Sequence, residues 1–180
     1  MYSLSCYLFS HPQKMDSSKL AVIQVTDGFL SCQAVEDVKS GSFLTDLWGP
    51  VLELPNSYTV QVDENKHVLP KGMLAYFNHS CKPNAKFIFE SRKIPYPSLD
   101  ADHEVFWYAV AARDIKKGEN VTFDYNTTEY DMAAHFQCNC AVDTCLGKIK
   151  GFRYLSREQQ KARACNLSPV IKKLWKTKVL

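Results

Sequence analysis

Apolar positions along the chain gather in short runs broken by turn signals, not at the three-to-four spacing of helices. Residues 20–25, 58–62, 85–89 and 105–111 read as strands. In the second run Tyr58, Val60 and Val62 alternate with Thr59 and Gln61, which predicts a half-buried strand carrying Tyr58 on its apolar face. Asp27-Gly28, Trp48-Gly49-Pro50, Asp63-Glu64-Asn65 and Pro95-Tyr96-Pro97 read as turns, and residues 91–103 as a long hairpin loop. An internal echo links two distant stretches. Residues 34–41 and 111–118 both follow A-x-x-D-[VI]-K-x-G, and each reads as strand, turn and second strand. Two copies are too few for a solenoid.

Helical signals come only near the C-terminus. Ser156-Arg157-Glu158-Gln159 is a capping box, which predicts a helix over 157–164. Ser168-Pro169 is a second helix start, followed by an apolar stripe of Ile171, Leu174 and Trp175. The pattern predicts a mostly β, β-rich α+β chain with short helices at its end.

With 180 residues the chain suits one domain, and 46% hydrophobic content is enough to bury a core. No apolar run reaches the roughly 18 residues of a membrane span. The N-terminus, from Met1 to Phe9, carries no basic segment or cleavage site, so no secretory signal is read. Charge is unevenly spread. Residues 146–180 hold ten Lys/Arg against one acid, while residues 1–145 hold twelve against eighteen. A +9 tail on a −6 body either docks on the body or meets an anionic partner. Lys172, Lys173, Lys176 and Lys178 could touch phosphates weakly, but Trp175 alone offers no stacking platform. The apolar stripe makes docking the stronger expectation.

Seven cysteines, an odd number without a signal peptide, argue against a disulfide framework and for a reducing compartment, cytoplasm or nucleus. Cys138, Cys140 and Cys145 form a C-x-C-x4-C run in which three thiolates can meet one zinc ion. The fourth ligand is open at this point: His135, or one of Cys6, Cys32, Cys81 and Cys165. A Cys81/His79 nucleophile pair is disfavoured, because no protease family signature surrounds the two residues.

Three segments acquire meaning together: Asn78-His79-Ser80-Cys81-Lys82-Pro83-Asn84, Glu119 to Tyr125 with its Thr122-Phe123-Asp124-Tyr125 end, and the cysteine run. In this order they resemble the SET domain of protein lysine methyltransferases. The likeness covers roughly residues 20–152. It implies an N-terminal extension at 1–19, a SET domain at 20–130, a post-SET zinc segment at 131–152 and a basic helical tail at 153–180, with no pre-SET block. The resemblance also implies small β-sheets in which the chain threads a pseudoknot, bringing Asn78-His79 beside Phe123-Asp124-Tyr125. It supplies the fourth zinc ligand as Cys81, joining Cys138, Cys140 and Cys145 in a closed structural site.

The activity implied is transfer of a methyl group from S-adenosylmethionine to the amine of a lysine on a protein or peptide, by a monomeric enzyme. Tyr125 would be the central hydroxyl and Phe123 the residue tuning product number toward di- or trimethylation. Asn78 and His79 would hold the cofactor's amino-acid and adenine ends. Tyr58 would lie near the cofactor and the lysine channel, and Phe136 would cover the cofactor. The chain departs from the family pattern at several points. The family's early G-x-G falls at Phe29-Leu30-Ser31, its Y-x-G tyrosine at Leu47, an arginine before the signature at Ala75, and the insert at residues 63–73 is short. A small-molecule amine as acceptor, or a zinc-stabilised scaffold with weakened catalysis, are the alternatives these departures leave.

Overall fold

The computed structural model describes residues 15–26, 28–92 and 103–178. The N-terminus, Asp27 and the predicted turn at Pro95-Tyr96-Pro97 lie outside them. In chain order the strands are β1 (Leu20–Thr26), β2 (Phe29–Ala34), β3 (Phe43–Leu52), β4 (Val60–Asp63), β5 (Lys66–Val68), β6 (Asn78–His79), β7 (Ala85–Ile88), β8 (His103–Ala111), β9 (Thr122–Phe123), β10 (Phe136–Gln137) and β11 (Lys148–Ile149). Two helices close the chain, α1 (Arg157–Arg163) and α2 (Pro169–Lys178), with single 3-10 turns at Gly72–Tyr76, Tyr125–Thr127, Phe152–Tyr154 and Ala164–Asn166.

The central sheet has five strands in the order β4-β5-β3-β8-β7, all antiparallel. A β1–β2 hairpin and a β10–β11 ladder flank it. One pairing is parallel and short: β6 on β9, with Asn78 beside Thr122 and His79 beside Phe123. Leu44, Leu47, Val68, Phe87, Trp107 and Phe123 belong to the main core beneath these sheets.

The echo turns out to pair with itself. Val38 and Ile115 exchange both backbone hydrogen bonds at 2.8 Å. Around them the contacts are reciprocal: Lys39 meets Asp114 at 2.9 Å and Lys116 meets Asp37 at 2.8 Å. Asp114 accepts the Ser40 N–H and Asp37 the Lys117 N–H. Gly41 donates to Ala111 and Gly118 to Ala34. The repeated sequence is thus a local twofold that holds the start of β3 against the end of β8 and places β9.

Two local expectations change. Trp48-Gly49-Pro50 is no turn but lies inside β3. Gly49 has φ +145°, and a Cβ there would stand 2.2 Å from the Leu69 carbonyl oxygen, so glycine is needed for the backbone crossing. Pro50 needs no N–H, because its carbonyl carries the link by accepting the Leu69 N–H at 2.9 Å. The strand expected from Tyr58 begins only at Val60. The Asn56 side chain accepts the Tyr58 N–H at 2.8 Å and turns the chain there, leaving Tyr58 77% exposed.

The C-terminal helices follow their signals. Ser156 and Gln159 form both capping-box bonds, and α1 ends at Arg163, one residue short of the expectation. Ile171 and Leu174, on the buried face of α2, join Phe152, Leu167 and Val170 in a second apolar cluster, with Trp175 edge-on to Phe152 at 5.3 Å. The tail therefore docks on the body. Ser168 N–H donates to the Thr127 carbonyl at 2.9 Å, and Lys173 meets Glu64 at 2.6 Å.

Candidate active site and metal centre

The parallel β6–β9 pair sets the site. Because β6 ends at His79 and β9 at Phe123, the two chains diverge there into Ser80-Cys81 and Asp124-Tyr125. Tyr125 turns back, and its hydroxyl donates to the Phe77 carbonyl at 2.8 Å. Burial pushes this phenol well above its ordinary pKa, with the nearby Glu129 carboxyl acting in the same direction, so Tyr125 keeps its proton. Phe123 lies against Tyr125, ring centres 4.7 Å apart, and edge-on to Phe87 at 5.2 Å. Phe136, brought by β10, lies 5.8 Å from the His79 ring and 6.0 Å from Tyr125. The expected residues Tyr125, Phe123, His79 and Phe136 thus form one aromatic cluster.

His79 is committed on both nitrogens. Its side chain is 1% exposed. Nδ1 accepts the Tyr125 backbone N–H at 3.2 Å, so Nε2 carries the ring proton and faces Cys81 Sγ at 3.4 Å. Burial lowers its pKa to about 4 against the pull of Asp124, so the ring is neutral. His79 and Cys81 are two residues apart, a spacing that puts side chains of an extended chain on one face, and the two side chains meet. Asp124 is held by Arg163 Nε at 2.6 Å and accepts the Asn126 N–H at 3.0 Å.

Asn78 donates from its side chain to the Leu30 carbonyl at 3.3 Å, which ties β6 to the tip of the β1–β2 hairpin. Phe29 and Leu30, at the slot of the expected G-x-G, are exposed there. Tyr58 has no ring contact with this cluster among the described residues. Leu47, in the expected tyrosine slot, is wholly buried in the core, and Ala75 is exposed.

The four thiols of Cys81, Cys138, Cys140 and Cys145 lie within 4.8 Å of one another, with Cys81 and Cys138 at 4.0 Å. Cys32 is core, Cys165 is exposed, and His135 stands beside Asp131 and Tyr154 instead. Backbone N–H groups already aim at sulfur: Leu146 at Cys81, 3.4 Å, and Gly147 at Cys145, 3.5 Å. Such donors favour thiolates. Burial pushes the Cys138 thiol up to about 11, and Cys81 further. At Cys140 burial also opposes ionisation, but backbone N–H groups of Cys81 and Val142 bring it down to about 6. Four sulfurs this close cannot all ionise without a cation between them. Soft donors, tetrahedral number and no open position fit a structural zinc ion.

A cleft of about 540 Å³ opens beside Phe123. Phe87 and Phe123 line it with Asp124, while Glu158 and Arg163 of α1 form one side and Leu146 of the cysteine loop the other. Nothing in the sequence signalled that α1 would wall this cleft, or that the Phe77 carbonyl would face Tyr125. A main-chain oxygen leaves no mark on residue type.

The family model of the SET domain matches residues 6–126, and the chain belongs to that family. A curated relative, "Methyltransferase flvH" of Aspergillus flavus, is 28% identical over 144 residues, covering 79% of this chain and 71% of that protein. A histone-lysine N-methyltransferase of Eremothecium gossypii described as H3 lysine-36 specific is 28% identical over 186 residues, covering 91% of this chain but only 26% of that protein. This chain therefore spans about a quarter of that enzyme's length. Among solved structures, the methyltransferase domain of human histone-lysine N-methyltransferase SETMAR is similar in fold, with TM-score 0.55 and 19% identity over 73% of this chain and 58% of that one.

Proposed function

We propose that this protein transfers a methyl group from S-adenosylmethionine to the side-chain amine of a protein lysine. The observation that carries the reading is the Tyr125 hydroxyl held on the Phe77 carbonyl, inside the ring cluster of His79, Phe123 and Phe136. Two oxygen dipoles meet there in a partly buried place, where a partly positive methyl in transit would be stabilised. S-adenosylmethionine, when bound, supplies a sulfonium-borne methyl open to in-line attack. Asn78, the His79 main chain and the Phe136 ring would hold it. Tyr125 keeps its proton, so it orients and does not act as base. The acceptor amine must therefore arrive neutral, and rate rises with pH toward the ordinary lysine pKa of about 10.4. Phe123 has no hydroxyl to fix a water, leaving room for a second and third methyl. Tyr58 enters this reading as an exposed aromatic that bound acceptor would cover.

In this reading the cleft beside Phe123 admits the acceptor, and the four cysteines hold one zinc ion. Free thiols among the described cysteines support a reducing compartment, nuclear or cytoplasmic. Lys172 and Lys176, exposed on α2, would make the weak phosphate contact. A small-amine acceptor has one observation in its favour: α1 forms one side of the cleft, taking space that an extended peptide would otherwise use.

The test is calorimetry with S-adenosylhomocysteine on zinc-replete protein, followed by methyl transfer to lysine peptides and small amines. Tyr125→Phe is expected to keep product binding and lose about 100-fold or more in transfer. No binding to folded, zinc-loaded wild type sinks the reading and favours a scaffold. Transfer to small amines alone moves the acceptor class.

A further inference from the structure

The metal centre and the methyl-transfer site are joined by one side chain. His79 stands between Cys81 and Tyr125, and a single tautomer serves both sides. Nδ1 receives the Tyr125 backbone N–H at 3.2 Å, and that fixes the proton on Nε2, 3.4 Å from Cys81 Sγ. The contact to Asp124, 3.8 Å from Nδ1, is too long to compete. The ring cannot turn freely, being packed edge-on between Tyr125 at 5.3 Å and Phe136 at 5.8 Å. Its side chain is buried, so a bound cofactor has only the His79 main chain to use.

We propose that His79 is a positioning residue that couples the four-cysteine centre to Tyr125. Nε2–H donates a hydrogen bond to the Cys81 thiolate, fixing the ring as outer partners of metal ligands generally are fixed, and this aims Nδ1 at the Tyr125 amide. The Tyr125 amide in turn sets the start of the turn that points the hydroxyl at Phe77. Occupancy of the centre therefore sets the register of the phenol. This rests on Tyr125 being the methyl-transfer residue only for its consequence in catalysis; the coupling stands on geometry.

Two substitutions divide the ring. His79→Asn offers an amide oxygen near the Nδ1 position but cannot reach Cys81. His79→Gln offers an amide N–H near the Nε2 position but leaves the Tyr125 N–H without its acceptor. The experiment compares 15N spectra of zinc-loaded and cadmium-loaded protein, since cadmium lengthens the bonds to sulfur. Metal affinity is read by competition with a chelator and product affinity by calorimetry.

In wild type the Tyr125 amide resonance shifts between the two metals. In His79→Asn metal affinity falls about 10- to 100-fold, and the Tyr125 amide no longer follows the metal. In His79→Gln metal affinity stays near wild type, while the Tyr125 amide is displaced and insensitive to the metal. A Tyr125 amide identical in both metal forms of wild type overturns the proposal. So does a His79→Asn protein that holds metal as tightly as wild type. The Trp175 indole resonance reports folding in every form, and if either variant fails to fold, the two-metal comparison on wild type decides alone. Absence of product binding to wild type overturns the methyl-transfer reading and leaves the coupling test in force.

Discussion

The two segments that follow Tyr125 are fastened to the body by opposite means. Between residues 131 and 150 only Cys138 and Ile149 are buried, and the ladder of β10 and β11 is two residues long. That loop has no core of its own, and its anchor is the thiol cluster with Cys81. Residues 152–175 instead bury Phe152, Leu167, Val170, Ile171 and Leu174 in a continuous apolar cluster. If the four thiols hold an ion, as proposed, order in the first segment should depend on it and order in the second should not. The dependent segment is also the one that brings Phe136 to His79 and Tyr125. The proposed cover of the site is thus expected to loosen before the apolar cluster does.

The largest effect that can break this contrast comes from the metal. Chelation, or Cys140→Ser, is expected to open new protease cuts within 131–148 and to weaken S-adenosylhomocysteine binding by about 100-fold. The α1–α2 region stays resistant. Equal protection of the loop with and without metal ends the distinction. Next in size is the apolar anchor. Ile171 is fully buried, and Ile171→Ala is expected to lower unfolding stability by about 2–5 kcal/mol in denaturant titration. Product affinity of the folded variant at low temperature stays near wild type. A drop in affinity as large as that from chelation would mean the two anchors are one.

These two segments were unequally legible in the sequence. The apolar anchor was readable because helix capping and a three-to-four stripe are local, so Ser156, Gln159, Ile171 and Leu174 all signalled their places. The thiol anchor was half readable: C-x-C-x4-C suggests three ligands, whereas Cys81 lies 57 residues before Cys138 and came only through the family resemblance. Pairing of β6 with β9 is a long-range parallel contact between two-residue strands, which no periodicity encodes. Tyr58 misled because alternation continues across a turn that Asn56 makes with its side chain. Gly49-Pro50 misled because a crossing of backbones uses the same residues as a turn.

Glu129 sits where the two segments meet the body. Its carboxylate accepts the Gln61 N–H at 2.9 Å, and its carbonyl accepts the Phe152 N–H at 2.8 Å. Burial pushes its pKa up to about 7, against the opposing Gln61 and Thr128 bonds. The folded state therefore holds this proton more tightly than the unfolded chain, whose value is near 4.5. The stabilising contribution is full below pH 4.5 and is lost as pH rises through about 7. Glu129→Gln removes the dependence. Its stability relative to wild type should climb by up to about 3 kcal/mol across that window, read from denaturant midpoints at several pH values. A pH-independent difference would place the ionisation elsewhere.

The smallest effect tests whether a third fastening matters. Lys39–Asp114 and Lys116–Asp37 repeat around the local twofold, but all four side chains are solvent-exposed. Hydrogen bonds from Lys116 and Lys117 hold Asp37 below the usual carboxylate range, and those from Lys39 and Ser40 do the same for Asp114. Groups depressed in this way stabilise above the unfolded pKa, and the contribution disappears as pH falls through the folded value. Each carboxylate has two tasks, however: it faces a lysine and it accepts a backbone N–H. Asp→Asn at both sites removes charge while keeping an oxygen for the turn, and screened surface pairs contribute little, so melting temperature should move by under about 2 °C. Asp→Ala at both sites also strands the Ser40 and Lys117 N–H groups and should cost more than the Asn pair, with no dependence on salt in the excess. If instead the Asn variants lose as much as the alanines, charge and not turn geometry holds the twofold. The contrast between metal and apolar anchoring would then need an electrostatic third member.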